Sequence, residues 1–244
     1  MFSIFTPKQF LVDLIDNSID IHNHLLPGID DGSPTIENTL NMIASFKEIG
    51  YAGAYATPHI MEGFYDNTSD IVINTYQQTN TTLEDQKVDF NFNFAAEYMV
   101  DSSFSNLVGK RDLLYLNNTH ILIEMSYFNR SLSLEDEIFR LQNIGVQPIL
   151  AHPERYGYIK TVEEFEEIKD LECKLQLNIL SLTQHYGTTV QKMAYKLLEK
   201  GYYDFIGTDA HKMAHLEKIK QIKIEKKHAH NLKRLFEKNK TIFG

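Results

Sequence analysis

Seven short apolar runs, each followed by a longer stretch, limit what this chain can fold into more than any other feature. The runs are Ser18–His22, Gly53–Thr57, Asn91–Ala96, His120–Glu124, Val146–Ala151, Lys174–Leu180 and Asp204–Thr208. Phe90, Phe92 and Phe94 alternate with polar residues, as do Leu175, Leu177 and Ile179, which is the two-residue period of a strand. The stretches between read as helices. After Ser33 and Pro34, a predicted N-cap and first helical position, Ile36, Leu40, Ile43 and Ala44 recur on one face until Gly50. Further helices are predicted over Thr68–Thr82, Ser133–Asn143, Val162–Asp170, Thr188–Lys200 and much of Leu216–Lys238, with Gly145 and Gly201 at C-cap positions. Repeated strand-then-helix units imply a parallel sheet, open or closed into a barrel. With 244 residues and a 43% hydrophobic fraction, one α/β domain spanning residues 1–244 is expected.

The ends of the strands carry the chemistry. His22 and His24 end the first strand, and His59 follows the second. Glu97 follows the third, Glu124 ends the fourth, His152 follows the fifth, and Asp209 with His211 follow the seventh. In β/α barrels these ends converge on one face, where catalytic residues come from several strands. His22-Asn23-His24 places two imidazoles two residues apart, so in an extended segment both reach one ion. The following loop, Leu25 to Gly32, adds the paired carboxylates Asp30 and Asp31. Carboxylates clustered with imidazoles repel one another unless cations are present. A mixed N/O set suits Zn²⁺, Mn²⁺ or Fe²⁺ better than Ca²⁺ or Mg²⁺.

Other classes are excluded on simple grounds. Cys173 is the only cysteine, so there is no internal disulfide, and a reducing compartment is expected. A Cys-x5-Arg phosphatase is excluded because Ile179 stands six residues beyond Cys173, which reads as a small buried hydrophobe. No apolar run approaches the roughly 20 residues needed to span a bilayer. Met1–Phe5 has neither a basic leader nor a long apolar stretch, so a cytoplasmic location is expected. Net charge is −9, yet Lys212–Lys240 holds ten Lys/Arg against three Asp/Glu, leaving −16 elsewhere. The basic region reads as a solvated helical face or a patch for an acidic partner segment or anionic membrane. The acidic body argues against nucleic acid.

The segments Asp20-Ile21-His22-Asn23-His24, Ala56-Thr57-Pro58-His59, Ala96-Glu97-Tyr98, Ala151-His152-Pro153-Glu154-Arg155 and Thr208-Asp209-Ala210-His211 resemble those of the PHP (polymerase and histidinol phosphatase) superfamily. The resemblance runs from about Ile19 to His211 and is nearest the capsular and exopolysaccharide protein-tyrosine phosphatases of bacteria. It implies a distorted (β/α)7 barrel with three divalent metal ions, manganese being expected and iron or zinc the alternatives. By position, His22, His24, Glu97 and Asp209 would hold the first metal. Glu97 would bridge to a second, also held by Glu124 and His152. Asp31, His59 and His211 would hold the third, Asp31 rather than Asp30 because the family ligand immediately precedes the glycine. The implied substrate is a phosphotyrosyl protein, a tyrosine autokinase controlling extracellular polysaccharide synthesis and associated with the membrane.

The four carboxylates contribute −4 and three divalent ions +6, so the loaded site would be electropositive and suit a phosphate ester. The expected mechanism is in-line attack on phosphorus by a hydroxide shared between two metals. Arg155 is the candidate catalytic cation, because its guanidinium can fork onto phosphate oxygens; the structural alternative is a salt bridge to Glu154. Family members often carry a second Arg after Asp-x-His. None follows His211 here before Arg234, and Lys212 and Lys218 are the substitutes at hand. A tyrosyl leaving group, with a pKa near 10, needs little acid assistance. His185 and His215 are expected near the site face, as proton donors or ordinary surface groups, and Asn178 as a strand-end residue of the pocket. Tyr98 and Tyr127 would flank an aromatic substrate or pack in the core. His120, His228 and His230 match no motif and are expected to be solvated. Three other activities compete: a small-molecule phosphatase of the histidinol-phosphate type, a nuclease-like module, and a non-catalytic metal-binding regulator.

Overall fold

The computed structural model describes residues 7–244, so Met1–Phe5 lies outside it. The strands are β1 (Lys8–Phe10), β2 (Ile19–Asp20), β3 (Gly53–Ala56), β4 (His59–Ile60), β5 (Asn91–Phe94), β6 (Glu97–Met99), β7 (His120–Glu124), β8 (Gln147–Ala151), β9 (Lys174–Asn178), β10 (Phe205–Gly207) and β11 (Lys223–Glu225). The helices are α1 (Ile36–Glu48), α2 (Ser69–Asp85), α3 (Ser102–Lys110), α4 (Leu134–Asn143), α5 (Val162–Asp170), α6 (Thr188–Lys200), α7 (Met213–Lys220) and α8 (Lys226–Phe243).

One parallel sheet runs β2-β3-β5 and another β10-β9-β8-β7-β6-β4. They are parts of one ring. The second and third strand positions each break, at Thr57-Pro58 and at Ala95-Ala96, and pairing carries across the breaks. Ala95 N donates to Ala56 O at 2.8 Å and Glu97 N to Pro58 O at 3.0 Å. A parallel bridge between Asn23 and Ala210 brings the first position beside the last. Asp209 N donates to His22 O at 2.7 Å and His24 N to Ala210 O at 3.0 Å, so seven strand positions encircle the interior.

That interior is a packed plug. Ile19, Ile21, Ala95, Leu122, Ile149, Ala151 and Phe205 fill it, and Leu116 and Phe243 join them from the connection before β7 and the end of α8. The larger apolar cluster lies between strands and helices, with Phe46 of α1, Phe165 of α5 and Leu197 of α6 fully buried. Side chains above the plug, at the C-terminal strand ends, are free to be polar. This layering places the chemistry.

Several sequence expectations are corrected. Helix α1 begins two residues later than predicted: Thr35 is the N-cap, its hydroxyl accepting from Asn38 N. Ser33 is instead tied into the preceding loop, donating from N to His24 O at 2.9 Å. The stretch Leu216–Lys238 is two helices, because β11 interrupts it to pair antiparallel with β1. Three-residue strands carry too little period to be read. His228 is buried and packs against the Tyr195 ring at 4.7 Å, so it is not solvated. His120 is half-buried: its ring meets Phe205 at 5.8 Å and Phe243 at 5.5 Å. His230 is exposed as expected.

Candidate metal centre

His22 and His24 face the same basin because Asn23 turns the other way. Its Nδ2 donates to Asp20 Oδ2 at 2.8 Å and Tyr55 O at 3.0 Å, pinning the segment to β3. Both imidazoles are fully buried. His22 Nε2 lies 3.2 Å from Glu97 Oε2 and 3.4 Å from Asp209 Oδ1; His24 Nε2 lies 3.5 and 3.3 Å from the same two atoms. His152 Nε2 is 3.0 Å from Glu97 Oε1. His59 Nδ1 sits 3.1 Å from Glu97 Oε2 and 2.9 Å from Glu124 Oε1. Asp31 Oδ1 stands 3.6 Å from His59 Nε2 and 3.4 Å from His211 Nε2. All nine candidate ligands, drawn from six strand ends and one loop, therefore share one basin.

They fall into four overlapping groups with ligand atoms within 4.8 Å of one another: His24, Asp31, His59 and His211; His22, Glu97 and His152; His22, His24 and Asp209; His59, Glu97 and Glu124. The fourth joins His59 to Glu97 and Glu124, where the motif positions paired those carboxylates with His152 alone. His59 is thus shared between two groups.

The donor set fits divalent cations. Six buried ligand-type atoms make no well-aligned hydrogen bond: His22 Nε2, His24 Nε2, His59 Nδ1, Glu97 Oε2, Glu124 Oε1 and His152 Nδ1. Buried polar atoms are rarely left unpaired unless something else satisfies them. The rings are also oriented for ligation. His22 donates from Nδ1 to Gln176 Oε1 at 2.9 Å, His24 from Nδ1 to Asp30 Oδ2 at 2.7 Å, and His211 from Nδ1 to Asp209 O at 3.0 Å. Each bond fixes the tautomer and leaves the Nε2 lone pair toward the basin.

Electrostatics points the same way. Burial works against a charged His22, but Glu97 and Asp209 outweigh it and push this imidazole up to about 9. Burial would raise Glu97, yet His22 and His59 hold it well below the carboxylate range. Burial and the charge of Glu97 push Glu124 up to about 7. His152 is pushed down to about 4 by burial and Arg155, so its ring is neutral at ordinary pH. The basin collects more negative charge than it can hold without added positive charge.

Its backbone is strained as well. His152, at φ 34°, and Asp209, at φ 49°, occupy the left-handed region. Non-glycine residues held there cost on the order of 1–3 kcal/mol each and cluster at functional sites.

Arg155 forms no pair with Glu154, which accepts from Asn178 N at 3.0 Å and Tyr203 OH at 2.9 Å. Its Nη1 donates to Asp209 Oδ2 at 2.5 Å. The guanidinium carbon lies 4.7 Å from the Tyr127 ring centre and 4.1 Å from that of Tyr186, a cation sandwiched between two aromatic faces. Asn178 lines the site, donating from Nδ2 to Asp209 Oδ2 at 2.8 Å. Tyr98 is core, its hydroxyl accepting from Leu114 N. Tyr127 belongs to the site, its ring stacked on His152 at 5.8 Å.

His215 accepts at Nδ1 from His211 N, and His185 accepts at Nδ1 from Lys218 Nζ at 2.9 Å. Burial and neighbouring positive groups lower both, His215 to about 4, so neither is an imidazolium at neutral pH. Lys218 is thereby engaged beside the site, and Lys212 is exposed.

Sequence reasoning missed Gln176 and Tyr186 as contributors, and it set Asp30 aside as a ligand without seeing its bond to His24. A glutamine between Leu175 and Leu177 was the available signal for Gln176, and the doubled Asp30-Asp31 for that bond. Tyr186 lay in a stretch with no motif.

Residues 18–242 match the family described as capsular polysaccharide synthesis, CpsB/CapC. The tyrosine-protein phosphatase YwqE of Bacillus subtilis is 29% identical over 195 residues, which span 79% of this chain and 77% of that protein. The tyrosine-protein phosphatase CpsB of Streptococcus agalactiae is 26% identical over 202 residues, 80% and 83% of the two chains. A crystal structure from work on YwqE of Bacillus subtilis and CpsB of Streptococcus pneumoniae, named there as metal-dependent tyrosine phosphatases, superposes with a TM-score of 0.77. Identity is 26%, with 92% of this chain and 90% of the other covered. Histidinol phosphate phosphatase of Lactococcus lactis, crystallised with zinc, L-histidinol and phosphate, shares the fold at a TM-score of 0.53 and 14% identity, covering 91% and 94%. With the family match spanning nearly all of a barrel whose strand ends meet in one ligand basin, the chain belongs to the CpsB/CapC family of capsular polysaccharide synthesis.

Proposed function

We propose that this chain is a metal-dependent protein-tyrosine phosphatase. Its nine ligands are His22, His24, Asp31, His59, Glu97, Glu124, His152, Asp209 and His211, and they hold three divalent ions, manganese in the first instance. Its substrate is a phosphotyrosyl protein, a membrane-associated tyrosine autokinase of capsule or exopolysaccharide synthesis, met from the cytoplasm. The observation that carries this reading is the convergence on one basin of five buried ligand-type atoms, those of His22, His24, His59, Glu97 and Glu124, that make no well-aligned hydrogen bond. The relatives named as tyrosine-protein phosphatases support it.

Bound divalent ions would supply Lewis acidity, lowering the pKa of water from about 15.7 to roughly 7 and withdrawing charge from phosphoryl oxygens. The residues of the chain do the rest. Gln176, Asp30 and the Asp209 carbonyl fix three imidazoles in the ligating tautomer. Arg155 spends one N–H on Asp209 and keeps the remainder of a five-donor fork for phosphate oxygens. Tyr127 and Tyr186 hold that fork flat. No imidazolium stands ready as a general acid at His185 or His215, which fits a phenolate leaving group better than an alkoxide.

The test compares kcat/KM on a phosphotyrosyl peptide, histidinol phosphate and a sugar phosphate, with manganese and after chelation, alongside His22→Ala. Phosphotyrosyl turnover that needs metal and is lost in the variant is the expected result. A higher kcat/KM on histidinol phosphate would overturn the substrate assignment.

A further inference from the structure

Among the described residues, three large apolar side chains are more than three-quarters exposed: Phe64 at 80%, Phe128 at 93% and Leu132 at 99%. Isolated exposed hydrophobics need no explanation, but these three share a location. Phe64 lies in the β4–α2 connection, five residues after His59. Phe128 and Leu132 lie in the β7–α4 connection, four and eight residues after Glu124. His59 Nδ1 and Glu124 Oε1 are 2.9 Å apart, so the two connections rise from adjoining ligands on either side of β6.

Both run directly into the site. Tyr65, next to Phe64, stacks on the His59 ring at 5.2 Å, and Tyr127, next to Phe128, stacks on His152 and faces Arg155. A recess of about 370 Å³ opens beside Tyr65, with Ile60, Met61 and Leu107 among its walls.

We infer that these two connections form the walls of a peptide track. They grip apolar or aromatic side chains flanking the phosphotyrosine while the phosphate sits over the ligand basin. The inference rests on the phosphatase reading and adds what that reading lacks, a means of choosing a polypeptide over a small phosphate ester.

Charge selects the occupant. Residues 61–68 carry Glu62 and Asp66 and no Lys or Arg. In the other connection Arg130 is tied to Glu135, Asp136 stands exposed at the start of α4, and Glu137 is buried against Arg140. Neither connection offers an unpaired Lys or Arg to an anionic membrane surface, so the exposed Phe and Leu suit a polypeptide rather than lipid.

The test uses the metal-loaded chain and three probes: free phosphotyrosine, a phosphotyrosyl peptide with leucine on both sides, and the same peptide with serine on both sides. The variants are Phe128→Ser/Leu132→Ser and Phe64→Ser, all at exposed positions. The wild type is expected to favour the leucine peptide through KM by about tenfold, the scale of partly burying one such side chain. The double variant should lose most of that preference, with kcat on free phosphotyrosine unchanged. A preference that survives in both variants sinks the track. So does a matching fall on free phosphotyrosine. Phe128 and Leu132 governing binding to phosphatidylserine vesicles, or self-association by sedimentation, with peptide kinetics unmoved, would assign the apolar rim elsewhere. A wild type inert on free phosphotyrosine but active on histidinol phosphate refutes the phosphatase reading itself, and that control is run first.

Discussion

The Nδ1–H of His24 points at Asp30 Oδ2 from 2.7 Å, while the ring's Nε2 faces the basin without a well-aligned hydrogen bond. Asp30 is held in turn by Gly32 N at 2.9 Å and His59 N at 3.2 Å, so the carboxylate that is not a candidate ligand organises two that are. Gly32 is required here, because a Cβ at that position would stand 2.2 Å from His24 O. Asp30→Asn keeps the shape and removes the charge. It should weaken manganese affinity about 10–100-fold, the usual effect of losing such an orienting partner. Activity measured against manganese concentration would show the curve displaced, with the plateau largely restored. An unchanged half-saturation point would remove Asp30 from this role.

Arg155 and its two tyrosines make a separate prediction. Arg155→Ala should lower kcat/KM by about 10²-fold, the scale of removing one charged donor from a developing anion, with metal content intact. Tyr186→Leu removes one aromatic face and should cost less, about threefold to tenfold and mainly in KM. Elemental analysis beside the kinetics decides the matter. Metal lost in step with activity would make Arg155 a prop for Asp209 and nothing more.

Metal removal has a proton signature. In the metal-free protein His22 is raised to about 9 by Glu97 and Asp209, so its imidazole is largely protonated at pH 7.5. Ligation needs the neutral ring, so metal uptake must expel that proton, and affinity must fall as pH falls. Calorimetry in two buffers of different ionisation enthalpy should show net release of about one proton or more per chain. Chelation should also lower Tm, since a ligand bound only by the folded state at 100 times its Kd contributes about 2.7 kcal/mol. Proton-neutral binding would contradict the charge balance described for the basin.

Away from the site, Asp204 ties helices to the barrel wall. Its carboxylate meets Lys169 Nζ at 3.1 Å and Lys238 Nζ at 3.2 Å and accepts from Leu175 N at 3.2 Å. Burial opposes its charge, but the two lysines hold it below the usual aspartate value. A folded value below the unfolded one means stability that is present above about pH 3.9 and is lost as pH falls through the folded value. Asp204→Asn should therefore be less stable than wild type at pH 7 by about 1–2 kcal/mol, with the gap closing toward pH 3. Equal gaps at both pH values would show that shape, not charge, matters at this position.

How much of this was legible in sequence depends on what enforces each feature. The ligands were legible because metal chemistry accepts few residue types and the barrel puts them at strand ends, as with His22, Glu124 and Asp209. Gln176 escaped notice because its importance is a contact across the barrel, with His22, 154 positions away in the chain. Tyr186 reaches Arg155 from the connection before α6, where no periodicity or motif marks it. The breaks at Thr57-Pro58 and Ala95-Ala96 were read as strand ends, since local pattern cannot reveal that pairing resumes beyond them. The burial of His228 and the half-burial of His120 follow from packing against Tyr195, Phe205 and Phe243, which are remote in sequence from the two histidines.

Gly207 offers the sharpest link between backbone and site. A Cβ placed there would stand 2.7 Å from His22 Cβ and 2.8 Å from Gln176 Nε2, closer than real Cβ atoms come. Its backbone is otherwise ordinary β10, so the constraint is space and not conformation. Gly207→Ala must push apart the pair whose 2.9 Å hydrogen bond orients His22. Overpacking of this kind costs about 1–3 kcal/mol, and here the strain falls on a candidate ligand. The variant should fold with a lowered Tm and bind manganese less tightly, and Gln176→Ala should relieve part of the stability loss while leaving the metal defect in place. If Gly207→Ala binds manganese as the wild type does, His22 can shift without cost to the centre, and its dependence on Gln176 is refuted.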